Sequence, residues 1–233
     1  MRSSLKALVM LAGCLAALGG GPAWGCSASV DDLGPEVYCG KYRGGVKTTF
    51  YKTPDGRLGT MFQYPSLADL LDSIPTDDDM RQLTRNWRRG EGPPTRFPDE
   101  QMNVEVPVYL VAVSLGEDDH DLHVIVSDSA RGRNRDFMNV EVSGLPRNRV
   151  DEGLFARART QISGILSSVD MTRMGSYLRI DPPLPVLVQG SLFFDGDHEA
   201  GCSHCPGPNW AKPQTVWEIH PVYSITAQRP IAR

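Results

Sequence analysis

From residue 101 onward, hydrophobic positions recur with a period of two. Val104, Val106, Val108 and Leu110 open a long strand that reaches Leu115, and Gly116-Glu117-Asp118-Asp119 turns it. Asp121 to Val126 alternates in its turn, with Leu122, Val124 and Val126 on one face and Asp121, His123 and Ile125 on the other. A polar loop at Arg131-Gly132-Arg133-Asn134-Arg135 follows, and Phe137 to Val142 alternates again. The period then changes. Leu154, Phe155, Ala158, Ile162, Ile165, Leu166 and Val169 fall at helical spacing behind Asp151 as the N-cap. Two more strands, Val186 to Phe194 and Val216 to Ile225, complete the pattern.

Upstream, Gly and Pro break residues 26–100 into short pieces. A strand pair over 46–52 and 58–64 is expected around Pro54-Asp55-Gly56, where Pro presets φ and Gly permits positive φ. Ser66 caps a brief helix through Leu67, Leu70, Leu71 and Ile74 that ends before Pro75. Asp77-Asp78-Asp79 with Arg81, Arg85, Arg88, Arg89 and Arg96 reads as a solvated, charge-laced linker. The expected fold is mainly β. The order of three strands, a helix and two strands predicts a five-stranded OB-like Greek-key barrel over 101–228, with one helix between strands 3 and 4. Small sandwiches share that order. Residues 26–100 are expected to be an irregular N-terminal extension, and residues 1–25 a signal peptide.

That leader carries Arg2 and Lys6, an apolar run from Ala7 to Leu18 and a small-residue exit at Ala23-Trp24-Gly25. Export to the periplasm or beyond is the expected destination. Leu11-Ala12-Gly13-Cys14 offers a competing reading, a lipobox that would anchor a lipoprotein through Cys14. No later stretch approaches the roughly 20 apolar residues of a transmembrane helix. Without the leader, 22 basic residues face 28 acidic ones, so general nucleic-acid binding, which needs a basic surface, is not expected. Cys26, Cys39, Cys202 and Cys205 then form an even set in an oxidising compartment, and two disulfides are expected in one of three connectivities. The alternative is a zinc site built by His198 with Cys202, His204 and Cys205.

Asp119-His120-Asp121-Leu122-His123-Val124, Met138-Asn139-Val140-Glu141-Val142, Gly190-Ser191-Leu192-Phe193-Phe194-Asp195 with His198, and Trp217-Glu218-Ile219-His220-Pro221-Val222 stand in that order along the chain. They resemble the D-G-D-Y-H-L, M-I-A-E-I, G-V-x-F-F-D-x-x-H and E-L-H-P-V segments of an uncharacterised family of exported, mainly bacterial OB-fold-like proteins. Val46-Lys47-Thr48 and the run from Arg96 to Glu100 also resemble segments of that family. The family's Pro-Cys after the third strand is replaced here by Gly144-Leu145-Pro146, and its H-G-Q-x-G by His198-Glu199-Ala200-Gly201. The resemblance implies a fold and a compartment, but no chemistry.

Two constellations could carry chemistry. Strand alternation puts His123 with Asp121, Glu141 with Asn139 and His220 with Glu218, each set opposite an apolar face, and His198 arrives from the loop after the fourth strand. Converging imidazoles and carboxylates could bind a divalent metal through His123, His198 and His220, or supply a general base from His123, Glu141 or His220. Such groups are also what a half-buried antiparallel sheet carries on its polar side. Because Pro221 cannot donate to the ladder, the last strand is expected at an edge or bulged there, with His220 near an opening. The second constellation is Arg131, Arg133 and Arg135, whose guanidinium forks suit anions. Of the 22 basic residues after the leader, 18 are arginine, which coding bias alone could also produce. No G-x-S-x-G elbow or phosphate-binding Gly loop occurs. The expected function is a non-enzymatic module that binds a polar or anionic ligand through the arginine loop and Glu218, with no cofactor expected and a divalent metal as the open possibility. The alternative is a metal-assisted hydrolase of the nuclease or phosphodiesterase kind.

Overall fold

A computed structural model describes residues 38, 43–84, 95–115, 120–131, 135–146, 149–167, 176–196, 198 and 205–229. The elements are α1 (Gly44–Lys47), β1 (Met61–Gln63), α2 (Leu67–Ser73), α3 (Asp77–Thr84), β2 (Asn103–Leu115), β3 (Leu122–Ser127), β4 (Phe137–Val142), α4 (Glu152–Leu166), β5 (Leu178–Phe194) and β6 (Trp217–Ala227). The fold is mainly β. Six strands form a mixed sheet in the order β1-β2-β3-β4-β6-β5, and β2 also pairs with β5, so the sheet closes into a ring. The β1–β2 and β4–β6 pairs are parallel and the others antiparallel.

Length lets β2 serve three neighbours. Asn103–Glu105 lies beside β1 and Tyr109–Leu115 beside β3 on one edge, while β5 runs along the other from Asn103 to Val113. Both long pairings slip register between Leu110 and Ala112, a bulge that bends β2 around the ring. The sixth strand, β1, takes the edge of β2 that β3 leaves open. The alternation reads through as expected. Leu122, Val124 and Val126 meet Met138, Val140, Val142, Leu192, Phe194, Ile219 and Ile225 in one buried core. Ala158, Ile162 and Leu166 of α4 and Leu67, Leu70 and Met80 of α2 and α3 join that core. Each Leu, Ile, Val, Phe or Met among them contributes about 1.5–3 kcal/mol on burial.

Four local readings differ from the structure. First, β5 begins at Leu178 rather than Val186. Pro182, Pro183 and Pro185 argue against a strand, yet this stretch pairs with β2 only, because β6 joins at Val186. A missing N–H there costs no ladder bond on the open side. Second, the acidic run at Asp77 is not a solvated linker but the first turn of α3, with Met80 buried and Asp77 accepting from Val216 N at 3.2 Å. Third, Asp151 precedes α4 with φ 61° and makes no side-chain cap. Its carboxylate is drawn instead to Lys52 Nζ, 2.7 Å away. Fourth, the strand pair expected over 46–52 and 58–64 is reduced to the single Lys52–Leu58 bridge: Gly44–Lys47 forms α1, and Met61–Gln63 pairs with β2 instead. By contrast Ser66 does cap α2, accepting from Asp69 N at 3.1 Å. The Pro54-Asp55-Gly56 turn forms with Gly56 at φ 81° between bridged Lys52 and Leu58.

The expected turn at 116–119 and Val169 lie outside the described residues. No helix among those described is long and apolar enough to cross a membrane.

Candidate functional site

The polar side of β3, β4 and β6 converges. Strand register sets His123 opposite Glu141 and Asn139 opposite Glu218. Strand ends add Asp121 before β3, Ser143 after β4 and Asp195 after β5, and α1 adds Lys47. Asn139 Nδ2 bridges the two carboxylates, donating to Glu141 Oε1 at 2.6 Å and Glu218 Oε1 at 2.8 Å. His220 Nδ1 lies 2.7 Å from Glu141 Oε2 and 3.5 Å from Glu218 Oε2, while its Nε2 lies 2.6 Å from Ser143 Oγ and 3.3 Å from Asp121 Oδ2. Lys47 Nζ donates to Asp195 Oδ2 at 2.9 Å and stands 3.9 Å from Glu141 Oε2. At the rim, His123 Nε2 is 3.5 Å from Glu141 and His198 Nε2 is 3.6 Å from Asp195.

This face is covered rather than open, so the expectation of His220 near an opening is corrected. His220 has no exposed surface, and Glu141, Glu218, Asn139 and Asp121 are buried with it. The bulge itself is present: the β5–β6 register shifts around Gly190, where an added Cβ would sit 2.7 Å from Pro221 O. The cover is the segment from Arg43 to Tyr51. Arg43 forms a two-pronged ion pair with Glu100, 2.7 Å on each arm, with its guanidinium 4.9 Å from the Phe97 ring centroid and 4.8 Å from that of Phe193. Arg96 donates to the carbonyls of Val46 and Thr49 in the cover, and to those of Leu192 on β5 and His220 on β6. Burial lowers the Arg96 pKa to about 10, within the range where it stays charged at neutral pH. Glu218 is therefore not a surface ligand group. Burial, with Glu141 and Asp195 beside it, pushes its carboxyl up.

Charge within the cluster is shared. Burial works against the Lys47 ammonium, but Asp195, Glu141 and Glu218 outweigh it and hold its pKa well above the ordinary value. His220 is likewise opposed by burial and raised well above its ordinary value by Glu141 and Asp121. An imidazolium donates from both nitrogens. Ser143 Oγ then accepts from Nε2 and gives its own proton to Lys47 O, 3.3 Å away. Ser143, His220 and Glu141 stand in the order of a nucleophile, a base and an orienting acid, but the proton directions are reversed from those a nucleophile needs and the cover closes the hydroxyl off. Among the described residues two groups have spacing that could hold a metal ion: Asp121, Glu141 and His220, fully buried, and Asp195, His198 and Glu218, of which His198 is 33% exposed.

The arginine loop is open. A cavity of about 260 Å³ is lined by Arg131, Arg135, Arg179, Asp181 and Trp210, with Val111 and Pro182 at its walls. Arg179 lies over the Trp210 ring at 5.0 Å and Arg135 over Phe137 at 5.0 Å. Gln214 fixes the near side, its Oε1 accepting from Phe137 N at 2.7 Å and its Nε2 donating to Arg135 O at 3.1 Å. Arg133 lies outside the described residues, as do Cys14, Cys26, Cys39, Cys202 and His204, while Cys205 is buried.

Comparison with protein-family models, with curated proteins and with solved structures finds no match. The residues themselves must therefore carry the functional argument. Sequence reasoning found His123, Glu141, Glu218 and His220 but missed Lys47, which fixes their charge, and Arg179 and Trp210, which complete the cleft. Lys47 is one of only four lysines after the leader, a scarcity that could have marked it.

Proposed function

We propose that this chain is an exported, OB-like binding module that holds a small polyanion in the arginine cleft. Three guanidiniums against the single carboxylate of Asp181, beside an indole that is 41% exposed, carry the reading. Guanidinium forks pair with phosphate or carboxylate in two-pronged fashion, and Trp210 supplies a flat apolar wall. The OB-like reading draws support from the ring β2-β3-β4-β6-β5, with α4 between β4 and β5. Export rests on the leader pattern, with the Cys14 lipid anchor as its competitor. Two disulfides remain the reading for Cys26, Cys39, Cys202 and Cys205. A hydrolase working through His220 is the weaker reading, because His220 has no exposed surface and lies beneath the cover.

Pyrophosphate is a suitable probe, and Trp210 reports on it by fluorescence. Saturable quenching that weakens with salt is expected. The Arg135→Ala/Arg179→Ala double variant is expected to bind at least about tenfold more weakly, with the loss of two charge-assisted contacts. Equal affinity in the double variant would remove the cleft from the account.

A further inference from the structure

At the mouth of the buried network three metal-type donors meet beside the sealed histidine. Asp195 follows β5 directly, and the turn after it, with Gly196 N bonded to Phe194 O at 3.0 Å and His198 N to Asp195 O at 3.2 Å, returns His198 beside it. Glu218 reaches the same place from β6, where it is the register partner of Phe193. One donor atom from each of the three lies within 4.8 Å of the others. An ion bound at about 2.0–2.2 Å from each would need only a small closure of that triangle.

A second observation points into the same space. Glu218 is buried, its Oε1 accepts from Asn139, and its Oε2 receives no hydrogen bond among the described residues. A buried carboxylate oxygen left in that condition costs free energy unless something positive faces it. His220 Nδ1, at 3.5 Å, faces Glu141 at the shorter distance of 2.7 Å.

We propose that Asp195, His198 and Glu218 form a site for one divalent first-row cation. Two carboxylate oxygens and one imidazole nitrogen leave the remaining coordination positions to water, a donor set that suits Mn²⁺ and also admits Zn²⁺. Lys47 Nζ, 2.9 Å from Asp195 Oδ2, sets a fixed positive charge beside the ion and keeps its affinity modest. The half-exposed edge of His198 gives entry. This site does not depend on the arginine cleft.

The full exported chain, with its cysteines oxidised and metal removed by chelation, is titrated with Mn²⁺. Free ion is read by its electron paramagnetic resonance signal. The site predicts one saturable Mn²⁺ per chain and at least a tenfold loss of affinity in His198→Ala, whose partly exposed position spares the core. Glu218→Gln, isosteric but uncharged, is expected to lose a similar factor. Absence of saturable binding in the parent protein overturns the proposal, and so does binding that His198→Ala leaves unchanged.

Discussion

Replacing Arg43 by alanine is expected to cost about 3–5 kcal/mol of folding free energy, the range for leaving one partner of a buried ion pair alone. Both side chains of the Arg43–Glu100 pair are without solvent exposure. Glu100 also accepts backbone N–H groups from Phe97 at 2.7 Å and Phe194 at 2.8 Å, so its carboxylate is fixed whether or not Arg43 is present. Removing the guanidinium leaves that buried charge without its cation and empties the space beside the Phe97 and Phe193 rings. Glu100→Ala strands Arg43 instead and should cost a comparable amount. The double variant should cost less than the two singles together, because neither charge is then left behind. Urea unfolding of the four proteins measures the cycle. A single-variant loss below about 1 kcal/mol, the range of a surface pair, would mean that this pair does not hold the cover on the ring.

Lys47→Met should have a second large effect, with a pH dependence of defined sign. Methionine keeps the length of the side chain over the Phe193 ring but removes the ammonium between Asp195 and Glu141. Two buried carboxylates then lose a cation, again a loss of about 3–5 kcal/mol near neutral pH. Burial pushes the Glu141 carboxyl up, but His123, Lys47 and His220 outweigh it and hold it well below its ordinary value of 4.5. A lowered carboxyl pKa contributes stability that is present above the ordinary value and lost as pH falls through the folded one. The raised pKa of Lys47 contributes stability that is present below its ordinary value of 10.5 and lost as pH rises through the folded one, so it is complete at neutral pH. The gap between parent and variant should therefore be widest near pH 7 and narrow below about pH 4.5, as the carboxylates that Lys47 serves take up protons. Thermal unfolding across that range reads it directly. A gap that widens toward acid would contradict the assignment of Lys47 as the cation of this network.

What the sequence shows and what it hides divide by range. The faces of Leu122/Val124/Val126 and Met138/Val140/Val142 are legible because period two is a property of each strand alone. The Ser66 cap and the Pro54-Asp55-Gly56 turn are legible for the same reason. His123, Glu141, Glu218 and His220 are placed on one side by alternation, and the register brings them together. That their side is covered is not legible, because the cover comes from Arg43 to Tyr51, some ninety residues upstream of β4, and is tied down by Arg96 through carbonyl groups that carry no sequence signature. Asp151 has the chemistry of a cap but is taken by Lys52 across a sequence separation of 99. The cleft divides in the same way. Arg131 and Arg135 stand in one polar loop, whereas Arg179 sits in a proline-rich stretch that reads as non-strand and Trp210 in a short 3-10 turn, Asn209–Ala211.

The proposed ligand site is the arginine cleft and not the histidine side of the sheet. Hydrogen exchange on the full chain, with and without saturating pyrophosphate, separates the two. Slowed exchange at Arg131, Arg135 to Phe137, Arg179 to Asp181 and Asn209 to Ala211, with the cover from Val46 to Tyr51 unchanged, is the expected result. Protection confined to the cover and to Glu218–Val222, with the cleft unaffected, would contradict the account.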